Sequence, residues 1–134
     1  MSEIVSTDEV NFVMDGENID EYGHVNYAAI PKFFESFQDQ LLMTYGNTSF
    51  PDIEKKFGLR SFVKKLEITW DGEVKQGDNC RMETELTLGN TSMKFTQRLF
   101  VRGKLAISLF LVVVIVNNEG IPTPIPHDLK ISLS

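Results

Sequence analysis

The chain has 134 residues, of which 42% are hydrophobic and 24% are charged, an ordinary composition for a soluble globular protein. This length predicts one domain over residues 1–134, large enough to bury a core without disulfides. The net charge of −6 excludes a predominantly basic surface. We therefore expect no nucleic-acid partner, because nucleic-acid-binding proteins present a basic face.

The single cysteine, Cys80, cannot form an internal disulfide, which favours a reducing compartment. We expect it to be a small buried residue and not a nucleophile, since no histidine lies near it in sequence. The acidic N-terminal sequence lacks the basic and apolar parts of a signal peptide. The longest apolar run, Leu105 to Val116, is shorter than the ~20 residues that span a bilayer. These features predict a cytoplasmic protein without a membrane span.

The first predicted elements are a strand and a long helix. Alternating apolar residues predict a strand over residues 5–14. Apolar residues at three- and four-residue spacing then predict an amphipathic helix over residues 27–45, which Gly46 would end. Proline is tolerated only in the first helical turn, so Pro31 indicates a helix that begins near residue 28 or later, or a distorted first turn. A short second helix is expected around residues 52–57.

The rest of the chain is predicted to be mostly strand. Apolar and polar residues alternate around residues 66–70, 84–88 and 93–101, and a continuous apolar run follows at 105–116. Glycine- and asparagine-containing turns separate these segments, which predicts an antiparallel meander of about four strands. The prolines of the tail cannot continue a central strand. The order of elements indicates an α+β fold with one helix packed on one face of the sheet.

Residues 20–27, Asp-Glu-Tyr-Gly-His-Val-Asn-Tyr, directly precede the long helix. A helix N-terminus carries free N–H groups and partial positive charge, and so favours a developing oxyanion. A carboxylate there is stabilised as the anion, so Asp20 would act as a base or nucleophile. His24 would orient the substrate, assist proton transfer or donate to the carbonyl oxygen. These parts suit acyl transfer to water.

A purely structural role for the same residues is the alternative. Asp20 would cap the turn, Asn26 would cap the helix, and His24 would be a partly buried histidine with its hydrogen bonds satisfied. The only other histidine is His127, and no Cys/His cluster has metal-ligand spacing. No phosphate-binding loop or dinucleotide fingerprint is present either, so we expect no metal and no cofactor. Spacing alone leaves the catalytic and structural alternatives open.

One run has the form Asp20-x-x-Gly23-His24-Val25-Asn26 and is followed nine residues later by Glu35, after two phenylalanines. This pattern resembles the hotdog-fold acyl thioesterases of the 4-hydroxybenzoyl-CoA thioesterase type. Weaker likenesses in the later strands extend the resemblance over nearly the whole chain.

The resemblance implies a hotdog fold, in which a five- to six-stranded antiparallel sheet wraps one long central helix. It implies a homodimer or homotetramer in which subunit sheets join and active sites lie at the subunit interface. The implied reaction is hydrolysis of an acyl- or aryl-CoA thioester, or of a thioester to acyl carrier protein (acyl-ACP). A non-catalytic hotdog module that binds acyl groups is the main alternative, and a dehydratase on the same fold is a weaker one.

Carried over residue by residue, the resemblance makes Asp20 the catalytic carboxylate and His24 a second catalytic residue. The implied substrate-binding residues are Asn26, Tyr27, Ala28 and Glu35. The N–H groups near Tyr27 and Ala28 would polarise the thioester carbonyl. The family often has an asparagine where Tyr27 stands, and Pro31 replaces an ordinary helix former.

The phosphates of coenzyme A need cationic partners. Each basic candidate is also typical of a solvated surface charge. The candidates are Arg60, Lys64, Lys65, Arg98, Arg102 and Lys104.

Overall fold

The structure is a computed structural model that describes residues 3–15 and 25–134. The elements in chain order are β1 (Glu3–Val13), a 3-10 turn (Tyr27–Ala29), α1 (Ile30–Gly46), α2 (Phe50–Phe57), β2 (Arg60–Trp70), β3 (Asn79–Leu88), β4 (Ser92–Val101), β5 (Lys104–Val116) and α3 (His127–Leu133).

The described strands form one antiparallel sheet of five strands in the order β1-β3-β4-β5-β2. The predicted simple meander is wrong for β2, which pairs with the far side of β5 and not with β3. Short connections join β3 to β4 and β4 to β5, whereas residues 71–78 are too long for a tight hairpin. This longer segment lets β2 cross to the opposite edge of the sheet.

Helix α1 packs its apolar side against one face of the sheet, as the periodicity predicts. Its fully buried side chains include Phe34 and Leu41, and the facing strands contribute buried residues such as Leu86, Phe95 and Leu99. Phe12 of β1 extends this core towards the helix, with ring centroids 5.7 Å from Phe33 and 5.5 Å from Phe37. The predicted α+β class is therefore confirmed.

The start of α1 agrees with the expectation from Pro31, and its end differs by one residue. The regular helix begins at Ile30 after a turn of 3-10 helix, so Pro31 is its second residue, where a proline fits. Gly46 is the last residue of α1, and the left-handed residue that follows the helix is Asn47, with φ of 47°. A Cβ on Gly46 would lie 2.7 Å from Leu133 Cδ2, so close packing against α3 favours glycine here.

Two short helices accompany α1 in the described part of the chain, and the sequence predicted the first of them but not the second. Helix α2 is close to its predicted position and is capped by the Ser49 hydroxyl, which accepts from the Asp52 N–H at 3.2 Å. Helix α3 was not predicted, because seven residues after a proline-rich segment are too few to show helical periodicity. Its Leu129 and Leu133 are buried, and the Leu133 carbonyl accepts from the Ser6 hydroxyl.

A buried polar network joins α1 to the middle of the sheet. Gln38 Nε2 donates to Gln97 Oε1 at 2.8 Å, and Gln97 Nε2 donates to the Phe34 carbonyl at 3.0 Å and to Thr84 Oγ1 at 3.2 Å. The Gln38, Gln97 and Thr84 side chains are almost completely buried. Because buried polar groups must be paired, this network fixes one position of the helix along the strands.

We predict that Gln97→Leu lowers the free energy of unfolding by about 1–3 kcal/mol, because it leaves buried polar groups of Gln38 and Thr84 without their partner. Urea unfolding measures this. The double variant Gln38→Leu/Gln97→Leu should be less destabilised than the sum of its single variants. Gln40→Leu, on the exposed side of the same helix, is the matched control and should change stability by less than about 0.5 kcal/mol. An unchanged Gln97→Leu variant would contradict the role of the network.

Candidate active site

Residues 74–78 form backbone hydrogen bonds with Met14, which precedes residues 16–24, and with Val25, which follows them. The Met14 N–H donates to the Asp78 carbonyl and the Gly77 N–H donates to the Met14 carbonyl, each at 2.9 Å. The Val25 N–H donates to the Val74 carbonyl at 2.9 Å. Asp20 and His24 lie outside the described residues. The end of β1 and the start of the helical region are therefore both fixed to one segment.

Asp78 organises this segment, a role that the sequence did not reveal. Its carboxylate is buried, accepts from the Lys75 N–H at 2.8 Å and pairs with the Arg102 guanidinium at 3.2 Å. A Gly-Asp pair between two strands is typical of a turn and gives no sign of such contacts. Asp78 thus positions the segment whose Val74 carbonyl accepts from the Val25 N–H.

Asn26 caps the 3-10 turn, as the structural alternative proposed. Its side-chain oxygen accepts from the Ala28 N–H at 2.9 Å, and its carbonyl accepts from the Ala29 N–H at 3.0 Å. The Ile30 N–H donates to the Tyr27 carbonyl, and Pro31 has no N–H. Among the described residues, none accepts a hydrogen bond from the Tyr27 N–H. Within the described part of the chain, this first-turn amide therefore has no acceptor.

The described substrate-binding candidates divide into two groups. Asn26, Tyr27 and Ala28 lie together at the N-terminal end of the helical region, and the Tyr27 side chain is 76% exposed. Glu35 is also exposed, but it lies seven residues after Ala28, about 10 Å further along the helix axis. The structure thus brings the first three together and leaves Glu35 on the outside of α1.

Cys80 is buried, as expected. Burial is the main cause that raises the pKa of its thiol to about 11, and the Asp78 carboxylate adds to the shift. The thiol is therefore protonated at neutral pH, and only the thiolate is a good nucleophile. Cys80 is a packing residue.

The β2 edge strand is exposed along nearly its whole length, on both faces. Its exposed apolar side chains include Phe62, Val63, Leu66 and Trp70. β2 joins β5 on one side, and no described strand pairs with its other side. Trp70 ends β2 four residues before Val74, so this edge runs up to the segment that contacts Val25.

The structure separates the six basic candidates. Three form ion pairs with nearby carboxylates: Lys65 with Glu67, Arg98 with Glu85, and Arg102 with Asp78. Lys104 is exposed at the start of β5. Arg60 and Lys64 instead line one cavity of about 520 Å³ at the opposite end of β2 from Trp70.

Residues 3–15 and 25–134 contain no helix with the length and apolar content of a membrane span. Within the same ranges, no three His, Cys, Asp or Glu side chains form a group that is suited to holding a metal ion.

No protein-family model matches the sequence, and a search of curated proteins finds no matching relative. Solved structures do match. A 1,4-dihydroxy-2-naphthoyl-CoA thioesterase from Synechocystis has a TM-score of 0.85 at 12% identity, covering 96% of each chain. A predicted thioesterase from Bacillus stearothermophilus has a TM-score of 0.76 at 21% identity, covering 96% of this chain and 94% of that one.

A hypothetical protein from Staphylococcus aureus, in complex with CoA, has a TM-score of 0.81 at 16% identity, covering 98% of this chain and 84% of that one. At these identities the likeness establishes the arrangement of elements and not the chemistry. The long helix, the five-stranded antiparallel sheet and the agreement over nearly the full chain lead to one conclusion. The protein has the hotdog fold.

Proposed function

We propose that residues 1–134 form one thioesterase domain that hydrolyses the thioester of an acyl- or aryl-CoA. The observation that carries the proposal is the available Tyr27 N–H, directly after the Asp20–Asn26 motif at a helix N-terminus. The similar structures from Synechocystis and Staphylococcus aureus are described, respectively, as a CoA thioesterase and as a complex with CoA. These descriptions support a CoA thioester over acyl-ACP as the substrate.

The proposed reaction uses Asp20 as the carboxylate that activates water or attacks the acyl carbon itself. In the water route, the oxygen of water bonds to the acyl carbon and its proton passes to Asp20. The carbonyl oxygen becomes an oxyanion that accepts from the Tyr27 N–H. When this intermediate collapses, the carbon–sulfur bond breaks and the departing thiolate takes the proton. Water is the only co-reactant, so the reaction needs no cofactor.

The other motif residues have supporting roles in this proposal. His24 supplies a second hydrogen bond to the substrate carbonyl. Asn26 keeps the Ala28 N–H occupied and so holds the turn in which Tyr27 lies. Glu35 contacts the substrate away from the reacting carbon. The free, buried Cys80 fits a reducing compartment, and we place the activity in the cytoplasm.

We propose that two copies of the chain pair along β2 to form a homodimer. A long edge strand with exposed apolar side chains aggregates unless another strand or element covers it. Antiparallel pairing of two β2 strands satisfies this requirement and follows two-fold symmetry. The pairing covers Val63 and Leu66, which are 58% and 45% exposed in the single chain. Such an interface lies beside the Val25–Val74 contact of each copy.

We expect Asp20→Asn to lower kcat by about 10²-fold or more on acyl-CoA thioesters, since it removes the base. The assay is thiol release from short, long and aromatic acyl-CoAs, with circular dichroism to check the fold. Glu35→Gln is the matched carboxylate control and should raise KM while kcat stays within about threefold. Full activity of Asp20→Asn would overturn its role. No hydrolysis by the unmodified protein of any acyl-CoA or acyl-ACP would favour the acyl-binding module.

Asn26 variants separate capping from catalysis. Asn26→Ala should lower the free energy of unfolding by about 1 kcal/mol, because the Ala28 N–H loses its acceptor. Asn26→Asp should preserve stability, since aspartate caps equally well, yet lower kcat because a carboxylate beside the developing oxyanion repels it. Thermal unfolding and kcat are measured on the same preparations. An Asn26→Asp enzyme with unchanged kcat would place the oxyanion elsewhere.

We predict that Leu66→Glu converts a dimer into a monomer, because it buries an unpaired charge between the two β2 strands. Size-exclusion chromatography with light scattering at micromolar concentration measures the mass. The control is Ile131→Glu, which changes an exposed apolar residue on α3 (60% exposed, against 45% for Leu66) and should leave the dimer intact. An unmodified protein that is monomeric at this concentration would rule out the proposed interface.

A further inference from the structure

The two-residue turn between β4 and β5 contains an arginine in an unusual backbone conformation. Arg102 has φ of 51° and Gly103 has φ of 81°, while Val101 and Lys104 pair on either side of them. A hairpin turn with positive φ at both central residues prefers asparagine, aspartate or glycine, because other side chains are strained there. A strained residue persists where its surroundings compensate for the strain, so the contacts of the Arg102 side chain are of interest.

The contact that the Arg102 side chain makes is an ion pair with Asp78. The guanidinium lies 3.2 Å from Asp78 Oδ1, and the Arg102 N–H donates to the Asn79 carbonyl at 3.1 Å. The Arg102 side chain is 74% exposed, whereas that of Asp78 is only 10% exposed. An exposed pair contributes little to stability, but a buried carboxylate that loses its partner is left as an unpaired charge. Arg102 therefore acts mainly on the state of Asp78.

Asp78 passes this contact on to the chain that follows the motif. Its Oδ2 accepts from the Lys75 N–H at 2.8 Å, and its own N–H donates to the Lys75 carbonyl at 3.1 Å. These two bonds close residues 75–78 into a tight turn. The Val74 carbonyl, directly before the turn, accepts from the Val25 N–H at 2.9 Å. The geometry of the turn therefore determines where the Val25 N–H is held.

The same turn holds the chain that precedes the motif. The Met14 N–H donates to the Asp78 carbonyl, and the Gly77 N–H donates to the Met14 carbonyl. Residues 16–24 thus connect two points that are both bonded to segment 74–78. A displacement of this segment changes the position of both points together.

Only one residue separates Val25 from Tyr27, whose N–H is the proposed donor to the oxyanion. We propose that Arg102 is a positioning residue for thioester hydrolysis, which acts through Asp78 and the Val74–Val25 contact on the Tyr27 N–H. This inference rests on the proposed function, and it replaces the phosphate contact that the sequence suggested for Arg102. Such an effect is large enough to measure, since a misplacement of about 1 Å at a reacting group can lower a rate about 10²-fold.

The turn itself offers a substitution that separates positioning from stability. Arg102→Asn introduces a residue that this turn prefers, so the midpoint of thermal unfolding should stay the same or rise. It also removes the partner of Asp78, so kcat on benzoyl-CoA should fall by about 3- to 10-fold while KM changes by less than about twofold. Arg102→Lys keeps a cation and should restore most of the lost kcat. Lys94→Gln, which removes a positive charge from β4 and leaves Asp78 paired, is the control and should change neither kcat nor KM.

A second substrate distinguishes positioning from a phosphate contact. Benzoyl-pantetheine carries the same thioester without the nucleotide. Arg102→Asn should lower kcat on both substrates by the same factor, because the proposed effect is at the reacting carbonyl. A rise in KM confined to benzoyl-CoA would show that Arg102 binds the phosphates and would overturn the proposal. An unchanged kcat on both substrates would overturn it as well.

Variants of Asp78 test the proposed path. Asp78→Asn keeps an acceptor for the Lys75 N–H and loses the charge that pairs with Arg102, so kcat should fall by about 3- to 10-fold here too. The double variant Asp78→Asn/Arg102→Asn should be no slower than Asp78→Asn alone, because residues that act through one contact are not additive. Losses that multiply in the double variant would refute the path through Asp78.

Amide hydrogen exchange, followed by NMR, tests the coupling without any hydrolysis. The Val25 N–H should exchange about threefold or more faster in Arg102→Asn than in the unmodified protein, while amides in the middle of α1 keep their rates. Faster Val25 exchange in a protein that hydrolyses no thioester would refute the proposed function and keep the coupling. Unchanged Val25 exchange would refute the coupling even in an active enzyme.

Discussion

The burial of α1 against the sheet is the constraint on which the rest of the structure depends. An apolar helix side alone allows some sliding along the strands, because apolar contacts are not directional. The Gln38–Gln97–Thr84 network removes this freedom, since its donors and acceptors match in one position only. The network lies two turns inside the helix, and so it determines where the N-terminal end at Tyr27 lies relative to segment 74–78.

The sheet edge is the second constraint. α1 covers the sheet but leaves β2 uncovered. The sheet of the single chain therefore has an edge strand whose side chains are exposed on both faces. Its exposed apolar residues form the surface along which we propose that two copies pair, whereas its basic residues Arg60 and Lys64 lie at one end. Apolar and basic side chains thus both lie along one exposed strand.

The sequence predicts elements whose pattern is local. Helix α1 is long enough to repeat its apolar spacing, and β3 and β4 alternate cleanly because one face is buried. β2 has no such contrast, since both of its faces are exposed in the single chain, and its place beyond β5 depends on the longer connection at residues 71–78. Helix α3 is too short for periodicity, and the left-handed residue at Asn47 depends on where α3 packs against Gly46.

The candidate site was predictable to a similar degree. The motif before the helix predicts where a site would lie, and Asn26 follows the usual preference of helix caps. Asp78 was missed because its role depends on contacts with Lys75 and Arg102, and the cavity lined by Arg60 also contains residues more than fifty positions away. Such juxtapositions arise from strand order and register, which a local pattern does not encode.

Tyr27 and Pro31 are the two departures from the family pattern that lie nearest the helix, and neither removes the proposed hydrogen-bond donor. Tyr27 stands where the family often has asparagine, yet the proposed donor is its backbone N–H, which every residue except proline carries. Pro31 removes an N–H at the second position of α1, one position beyond the Ile30 amide that already donates to the Tyr27 carbonyl. The loss therefore falls outside the turn that presents Tyr27. An oxyanion accepts more than one hydrogen bond, so the proposed mechanism needs a second donor besides the Tyr27 N–H. His24, three residues before Tyr27 in the same motif, has the chemistry to supply it.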